Sequence, residues 1–174
     1  MAKQQSFEIE IDKLTRSIEN AVSGDIFKTK VLELTSFDIR KLKKKDWLFD
    51  WKTEAKISGK TVYKLVIVDN TSIIQGLISL QDRGDHIFMS LIESNKFNRG
   101  ARKIYLGVPG NLVAFACKIS FDKGYSGYVS FESKTRLIGH YQKSLKAHVL
   151  FGNIMAIDTR AATKLIDQYF PQNL

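Results

Sequence analysis

The residues best suited to chemistry in this chain lie in one short turn. Gly107, Val108, Pro109, Gly110 and Asn111 stand just ahead of an apolar run in which Leu112, Phe115, Ala116 and Ile119 recur at helical spacing. Pro109 fits the first turn of a helix, where a missing N–H costs nothing. Gly124 fits the position just past its end. A glycine turn feeding a helix N-terminus presents free backbone N–H groups and the positive end of the helix dipole, which together attract phosphate. The same residues also read as an ordinary strand-to-helix turn, with glycines for chain reversal. Neither GxGxxG nor GxxxxGK(S/T) occurs, which argues against dinucleotide-binding and P-loop folds.

Other chemistries find little support. His86, His140 and His148 lack metal-ligand spacing, and with one cysteine there is no zinc cluster and no internal disulfide. That cysteine, Cys117, falls inside the apolar helix pattern and reads as a buried thiol. There is no G-x-S-x-G elbow. His140, beside Tyr141, reads as a surface or satisfied core histidine before it reads as catalytic. Lysine and arginine number 27 against 18 acidic residues, a formal net charge of +9 that suits an anionic partner such as nucleic acid. A solvated surface explains the same charge.

The elements that position the turn follow from length and pattern. A chain of 174 residues with 44% hydrophobic and 26% charged residues has the composition of one globular domain with a sizeable core. No apolar run reaches membrane-spanning length, and the first twelve residues lack a signal-peptide core. With a single cysteine this fits a reducing, cytoplasmic setting. Residues 7–11 alternate as a short strand. Asp12 is placed to cap a helix through about Ser23, with Leu14, Ile18, Ala21 and Val22 on one face and Gly24 as its stop. Residues 27–35 read as a strand, and Ser36 and Asp38 start a short helix or turn.

The basic run Arg40, Lys41, Lys43, Lys44 and Lys45 follows, and then Trp47, Phe49 and Trp51. Basic residues beside aromatics suit single-stranded nucleic acid. The alternative is a lysine-rich face over buried aromatics. Strands at 51–57, 61–69, 73–80 and 86–92 are joined by short turns and must be antiparallel. The next link contains a helix and makes the strand at 125–133 a parallel neighbour, with right-handed crossover. The sheet therefore changes from antiparallel to parallel at the strand ending near Glu93, where diverging strands leave backbone groups unpaired. A helix at 135–145 carries Leu137, Ile138, Tyr141 and Leu145 on one side. Residues 147–158 read as a strand interrupted at Gly152 and Asn153. Asp158 or Thr159 caps a last helix that Pro171 ends. The fold class is α/β (α+β), with a mixed, mainly antiparallel central sheet of six or seven strands and helices on both faces.

This order of segments resembles the GNAT superfamily of acyl-CoA-dependent N-acyltransferases, over roughly residues 27–158. The family motif is Gln/Arg-x-x-Gly-x-Gly/Ala followed by a helix with an early leucine. Gly107 falls on the first glycine, Val108 on the residue between and Leu112 on the helix leucine. Pro109 stands at the second Gly/Ala, and Ile104, beside Lys103, at the Gln/Arg place. Residues 140–151 are similar to the Tyr-x-x-x-Gly-Phe region, with Tyr141 on the tyrosine and Lys146-Ala147 near the Gly-Phe. Lys134 lies near a position often held by asparagine.

The resemblance implies one GNAT-like domain over 1–174, with a strand/helix extension over about 1–26 and a C-terminal helix over about 159–170. It implies acetyl transfer from acetyl-CoA, without a metal, to an amine on a small molecule or protein, and no membrane partner. Backbone N–H groups from Gly107 to Leu112 would hold the pyrophosphate, with Arg102, Lys103 or Lys134 at the phosphates. Ile92, Val108, Gly110 and Asn111 would also meet the cofactor, and its pantetheine arm would pair with backbone where the strands diverge. Glu93 is the candidate base for the amine, and Tyr141 the candidate acid for the leaving thiolate. The alternatives are a Glu93 carboxylate paired with Arg99 or Arg102, a core tyrosine, and a non-catalytic basic module that binds nucleic acid on a degenerate version of the fold.

Overall fold

The computed structural model describes residues 7–171. Its first segment corrects the sequence reading. No helix follows Asp12: residues 8–17 form neither helix nor strand, and Phe7 makes a single parallel bridge to Ser133. Strand β1 (Ile18–Asn20) then pairs antiparallel with β2 (Ile26–Phe27). Asn20 Oδ1 accepts the N–H groups of Val22 and Ser23 and fixes a turn where the helix was expected, leaving Val22 fully in solvent. A short helix is costly to nucleate, whereas the extended path buries Phe7, Ile11, Thr15 and Ile18.

Strand β3 (Thr29–Glu33) leads into helix α1 (Ser36–Lys41), which opens with a reciprocal capping box between Thr35 and Asp38. The expected strand at 51–57 is instead helix α2 (Trp51–Glu54). Asp50 caps it by accepting Thr53 N–H at 3.1 Å, and burial of Trp51 and Glu54, three apart, follows helical rather than alternating spacing. Strands β4 (Lys60–Ile67), β5 (Gly76–Asp82) and β6 (Ile87–Ser94) then form an antiparallel meander; β5 begins three residues later than the alternation suggests. Strand β7 (Tyr105–Leu106) joins β1 in a small three-stranded sheet. Helix α3 (Val108–Asp122) has Pro109 in its first turn, and Gly124 sits beyond it at φ +81°.

The crossover delivers β8 (Val129–Glu132) parallel to β6, as the segment order requires. Helix α4 (Ile138–Ser144) follows a 3-10 turn, and β9 (His148–Phe151) and β10 (Ile154–Ile157) form an antiparallel hairpin around Gly152 and Asn153. Asp158 caps helix α5 (Thr159–Tyr169). The main sheet runs β3-β4-β5-β6-β8-β10-β9. Among the described residues no helix is long and apolar enough to cross a membrane.

Two apolar cores flank this sheet. On one face α3, α4 and α5 pack Leu112, Val113, Tyr141 and Leu165 against Leu65, Ile78, Met89 and Ile92. On the other, α1, α2 and the loop between them bury Leu42, Trp47 and Trp51 over Val62, Leu77 and Leu91. Each fully buried Leu or Val contributes about 1.5–3 kcal/mol, so α3, buried along most of its first three turns, anchors the whole layer.

Candidate functional site

The site begins with a defect in β6. Ser79 pairs with Leu91 and Leu80 with Met89, so Ser90 is an extra residue on β6, a β-bulge. Alternation is reset across it. Ile87 and Met89 face the α3 side, but beyond the bulge Leu91 faces the α2 side and Ile92 the α3 side. Glu93 is thereby turned toward α2. The parallel pairing of β6 with β8 covers only Ile87↔Val129 and Phe88↔Ser130, after which the strands part. A cavity of about 300 Å³ opens beside the parted end of β6, lined by Ile92, Glu93, Leu48, Phe49, Ile9 and Lys103 among others.

Glu93 forms the wall of this cavity, and both its oxygens are engaged. Oε2 accepts Leu48 N–H at 2.6 Å and lies 3.3 Å from Arg99 Nη1; Oε1 accepts Phe49 N–H at 3.1 Å and Trp51 Nε1–H at 2.9 Å. A carboxylate has about four lone-pair sites, and four donors fill them here. Of the two arginines considered as partners, Arg99 holds the contact. The basic-aromatic segment also resolves: Trp47 and Trp51 are buried and packed edge to face, while Lys43, Lys44 and Lys45 stand in solvent.

On the other side of β6 lies the glycine turn. Gly107 caps α3 at φ +89°, a conformation that side chains resist. Its N–H donates to Asp12 Oδ1 at 3.2 Å, and Asp12 Oδ2 lies 3.1 Å from Lys103 Nζ. A carboxylate thus occupies the turn's N–H together with an adjacent cation. The helix start itself is covered: a Cβ at Gly107 would stand 2.1 Å from Thr15 Oγ1, and one at Gly110 2.3 Å from the Tyr169 hydroxyl. Burial pushes that hydroxyl up to about 12, and it accepts Thr15 N–H at 2.9 Å.

The N-terminal segment lies along the parted strands. Phe7 N–H donates to the Glu132 carbonyl, Lys134 N–H donates to the Phe7 carbonyl at 3.3 Å, the Tyr141 hydroxyl donates to the Ile9 carbonyl, and Ile11 N–H donates to His140 Nε2 at 2.8 Å. Tyr141 has no solvent exposure and stacks edge-on against Phe7 and Phe131; desolvation raises its pKa well above the ordinary phenol value.

The sequence-predicted residues therefore fall into three groups. Ile92, Glu93 and Lys103 line the cavity. Val108, Gly110, Asn111 and Leu112 are buried at the start of α3, with Asn111 Nδ2 donating to Thr29 Oγ1 at 2.8 Å. Tyr141 lies in the α3-side core outside the cavity lining, and Lys134 pairs with Glu8 at 3.2 Å on the surface. Glu93 and Tyr141 are not brought into one constellation. Sequence reasoning missed Asp12 and Ile9, and it ranked His140 as a bystander. The alternating acidic run Glu8, Glu10, Asp12, in a chain whose glycine turn attracts anions 95 residues further on, was the available signal. Cys117 is fully buried and its thiol is pushed up to about 12, so it is no nucleophile. Among the described residues no three His, Cys, Asp or Glu side chains gather as metal ligands.

The chain is similar in structure to KacTA, solved in a complex with DNA, at a TM-score of 0.55 and 12% identity, over 80% of this chain and 98% of that one. The chain has the GNAT fold. Lower-scoring likenesses are a Bacillus subtilis acetyltransferase in complex with CoA (TM-score 0.44, 14% identity, 76% of this chain and 99% of that one) and the ribosomal-protein-S18-alanine N-acetyltransferase from Escherichia coli (0.45, 16%, 75% and 94%). No protein-family model and no curated protein matches the sequence. At such identities the likeness to the solved structures is one of fold.

Proposed function

We propose that this protein transfers an acyl group, acetyl in the simplest case, from acyl-CoA to an amine. One observation carries the reading: at the divergence of β6 and β8, a glycine turn and Lys103 already hold an anion, the Asp12 carboxylate. The Gly107 N–H and Lys103 would take the cofactor pyrophosphate in its place, with Lys134 at the far edge. Coenzyme A supplies the activated thioester. The amine nitrogen attacks its carbonyl, the C–S bond breaks, the amine's surplus proton leaves to water, and the thiolate is protonated. Because donors fill both Glu93 oxygens, its part in this reading is to hold the Leu48–Trp51 wall against the acceptor, and water carries the proton. The Tyr141 hydroxyl, once it no longer serves Ile9, would pass its proton to the thiolate and take another from water.

The test is calorimetric titration with CoA and acetyl-CoA, followed by transfer of labelled acetyl to a panel of small and peptide amines. Lys103→Glu, which reverses the charge beside the glycine turn, should abolish binding. Absence of CoA binding both by the folded wild type and by a folded Asp12→Asn variant, whose carboxylate no longer occupies the turn, would end this reading. A second reading, a basic nucleic-acid-binding module on the same fold, is supported by the net charge of +9 and by KacTA's having been solved with DNA. It predicts salt-dependent oligonucleotide binding that disappears when Lys43, Lys44 and Lys45 become Ala.

A further inference from the structure

We infer that residues 7–12 are an intramolecular ligand of the acyl-CoA track, which the cofactor must displace to bind; this inference rests on the acyl-CoA reading of the cleft. Four features of the arm stand in for parts of that cofactor. First, its backbone joins the parted end of β8, with Phe7 N–H on the Glu132 carbonyl and the Phe7 carbonyl on Lys134 N–H, where a pantetheine amide would pair. Second, the Ile9 carbonyl takes the Tyr141 hydroxyl, the group assigned to the departing sulfur. Third, Ile11 N–H is satisfied by His140 Nε2. Fourth, the Asp12 carboxylate lies on Gly107 N–H and Lys103, as a phosphate oxygen would.

Size makes the two occupants exclusive. The cavity left beside the arm measures about 300 Å³. Sites for drug-sized ligands span roughly 300–1,000 Å³, and a nucleotide joined to a pyrophosphate and a pantetheine arm exceeds a drug-sized ligand. The free cavity therefore admits at most the acyl end. The arm is also built to be displaced. It belongs to no sheet beyond the single bridge at Phe7, and Glu8 and Glu10 are exposed between the buried Phe7 and Ile11. When a site is open in only a fraction of molecules, apparent affinity falls by that fraction. The arm thus sets the acyl-CoA concentration at which the enzyme turns on.

The test compares full-length wild type, Asp12→Asn and, as a control for net charge, Asp25→Asn, whose carboxylate bonds Ser23 in an exposed loop away from the cleft. CoA affinity is measured by calorimetry, and arm release by the rate of tryptic cleavage after Lys13, followed by mass. Tyr141→Phe, which frees the Ile9 carbonyl but keeps the core ring, serves as a second release variant should Asp12→Asn fail to fold. The expected result is CoA binding at least about fivefold tighter in the release variant, unchanged affinity in Asp25→Asn, and faster cleavage after Lys13 when CoA is added to wild type. Equal affinities with cleavage indifferent to CoA would overturn the arm's competition and leave the acyl-CoA reading standing. Absence of CoA binding even in a variant whose arm is cleaved faster would overturn the acyl-CoA reading, and the competition with it.

Discussion

Two carboxylates flank strand β6, and they are held in opposite ways. Glu93, on the α2 side, is 3% exposed and receives two backbone N–H groups, an indole and a guanidinium, all from within the folded body. Asp12, on the α3 side, receives the Gly107 N–H, the N–H of its own neighbour Lys13 and the Lys103 ammonium, and sits on a segment with no strand pairing of its own. The first is a permanent joint between the sheet and the Leu48–Trp51 loop. The second is a latch. The difference shows how one strand end carries both a rigid wall and a removable occupant. The bulge at Ser90 makes this arrangement, since without it Glu93 would share the face of Ile87 and Met89.

Breaking the joint should have the greatest consequence. Glu93→Ala removes a buried carboxylate that joins four donors, leaving the Trp51 indole N–H without its acceptor and Arg99 with only the Asp46 carbonyl; loss of one partner of a buried ion pair costs about 3–5 kcal/mol. That is a large share of a stability of about 5–15 kcal/mol, and urea denaturation will read it. Asp12→Asn should cost less, because the amide oxygen still accepts the Gly107 and Lys13 N–H groups and only the ion pair with Lys103 is lost. Equal losses in the two variants would erase the distinction between joint and latch.

Gly107→Ala attacks the latch from below. A side chain at φ +89° costs about 1–2 kcal/mol, and its Cβ would meet Thr15 Oγ1 at 2.1 Å and the Ser17 carbonyl at 2.9 Å. The expected outcome is a loss of about 2 kcal/mol or more in thermal unfolding, together with faster tryptic cleavage after Lys13. A melting temperature equal to wild type would show that the turn does not hold the segment.

A further effect, which shrinks as pH falls, concerns a third carboxylate, away from both. Burial works against ionisation of Asp38, but its bonds to Lys64 and Thr35 outweigh that and hold its pKa below the ordinary aspartate value. A depressed folded-state pKa stabilises above the unfolded value, near 3.8, and that stability is lost as pH falls through the folded value. Asp38→Asn, which also weakens the capping box, should therefore cost about 1 kcal/mol at neutral pH. The loss should shrink toward zero in acid, as followed by urea midpoints from pH 7 to pH 3. A loss that stayed constant with pH would assign it to geometry rather than charge.

Local pattern made most of the frame legible. The apolar period after Pro109, Gly124 beyond it, the β-branched run of β4, and the helix-bearing link that forces β8 parallel to β6 all lie within single windows of sequence. Two short windows misled. Residues 12–23 carry helical spacing, and 51–57 alternate, but runs this brief are decided by tertiary burial: Ile11, Thr15 and Ile18 in the first, Trp51 and Glu54 in the second. The site was less visible because its contacts are remote. Glu93 meets three of its four donors across 42–45 residues, Gly107 meets Asp12 across 95, and Tyr141 meets Ile9 across 132. The bulge that aims Glu93 leaves no mark in the alternation of residues 87–94.

Hydrogen exchange on the full-length chain with and without acetyl-CoA tests the acyl-CoA cleft and its occupant together. Binding along the track predicts opposite changes in one experiment: slower exchange across 107–112 as the turn takes the pyrophosphate, and faster exchange across 7–12 as Ile9, Ile11 and Asp12 lose their partners. Saturating acetyl-CoA that leaves both segments unchanged would contradict the account.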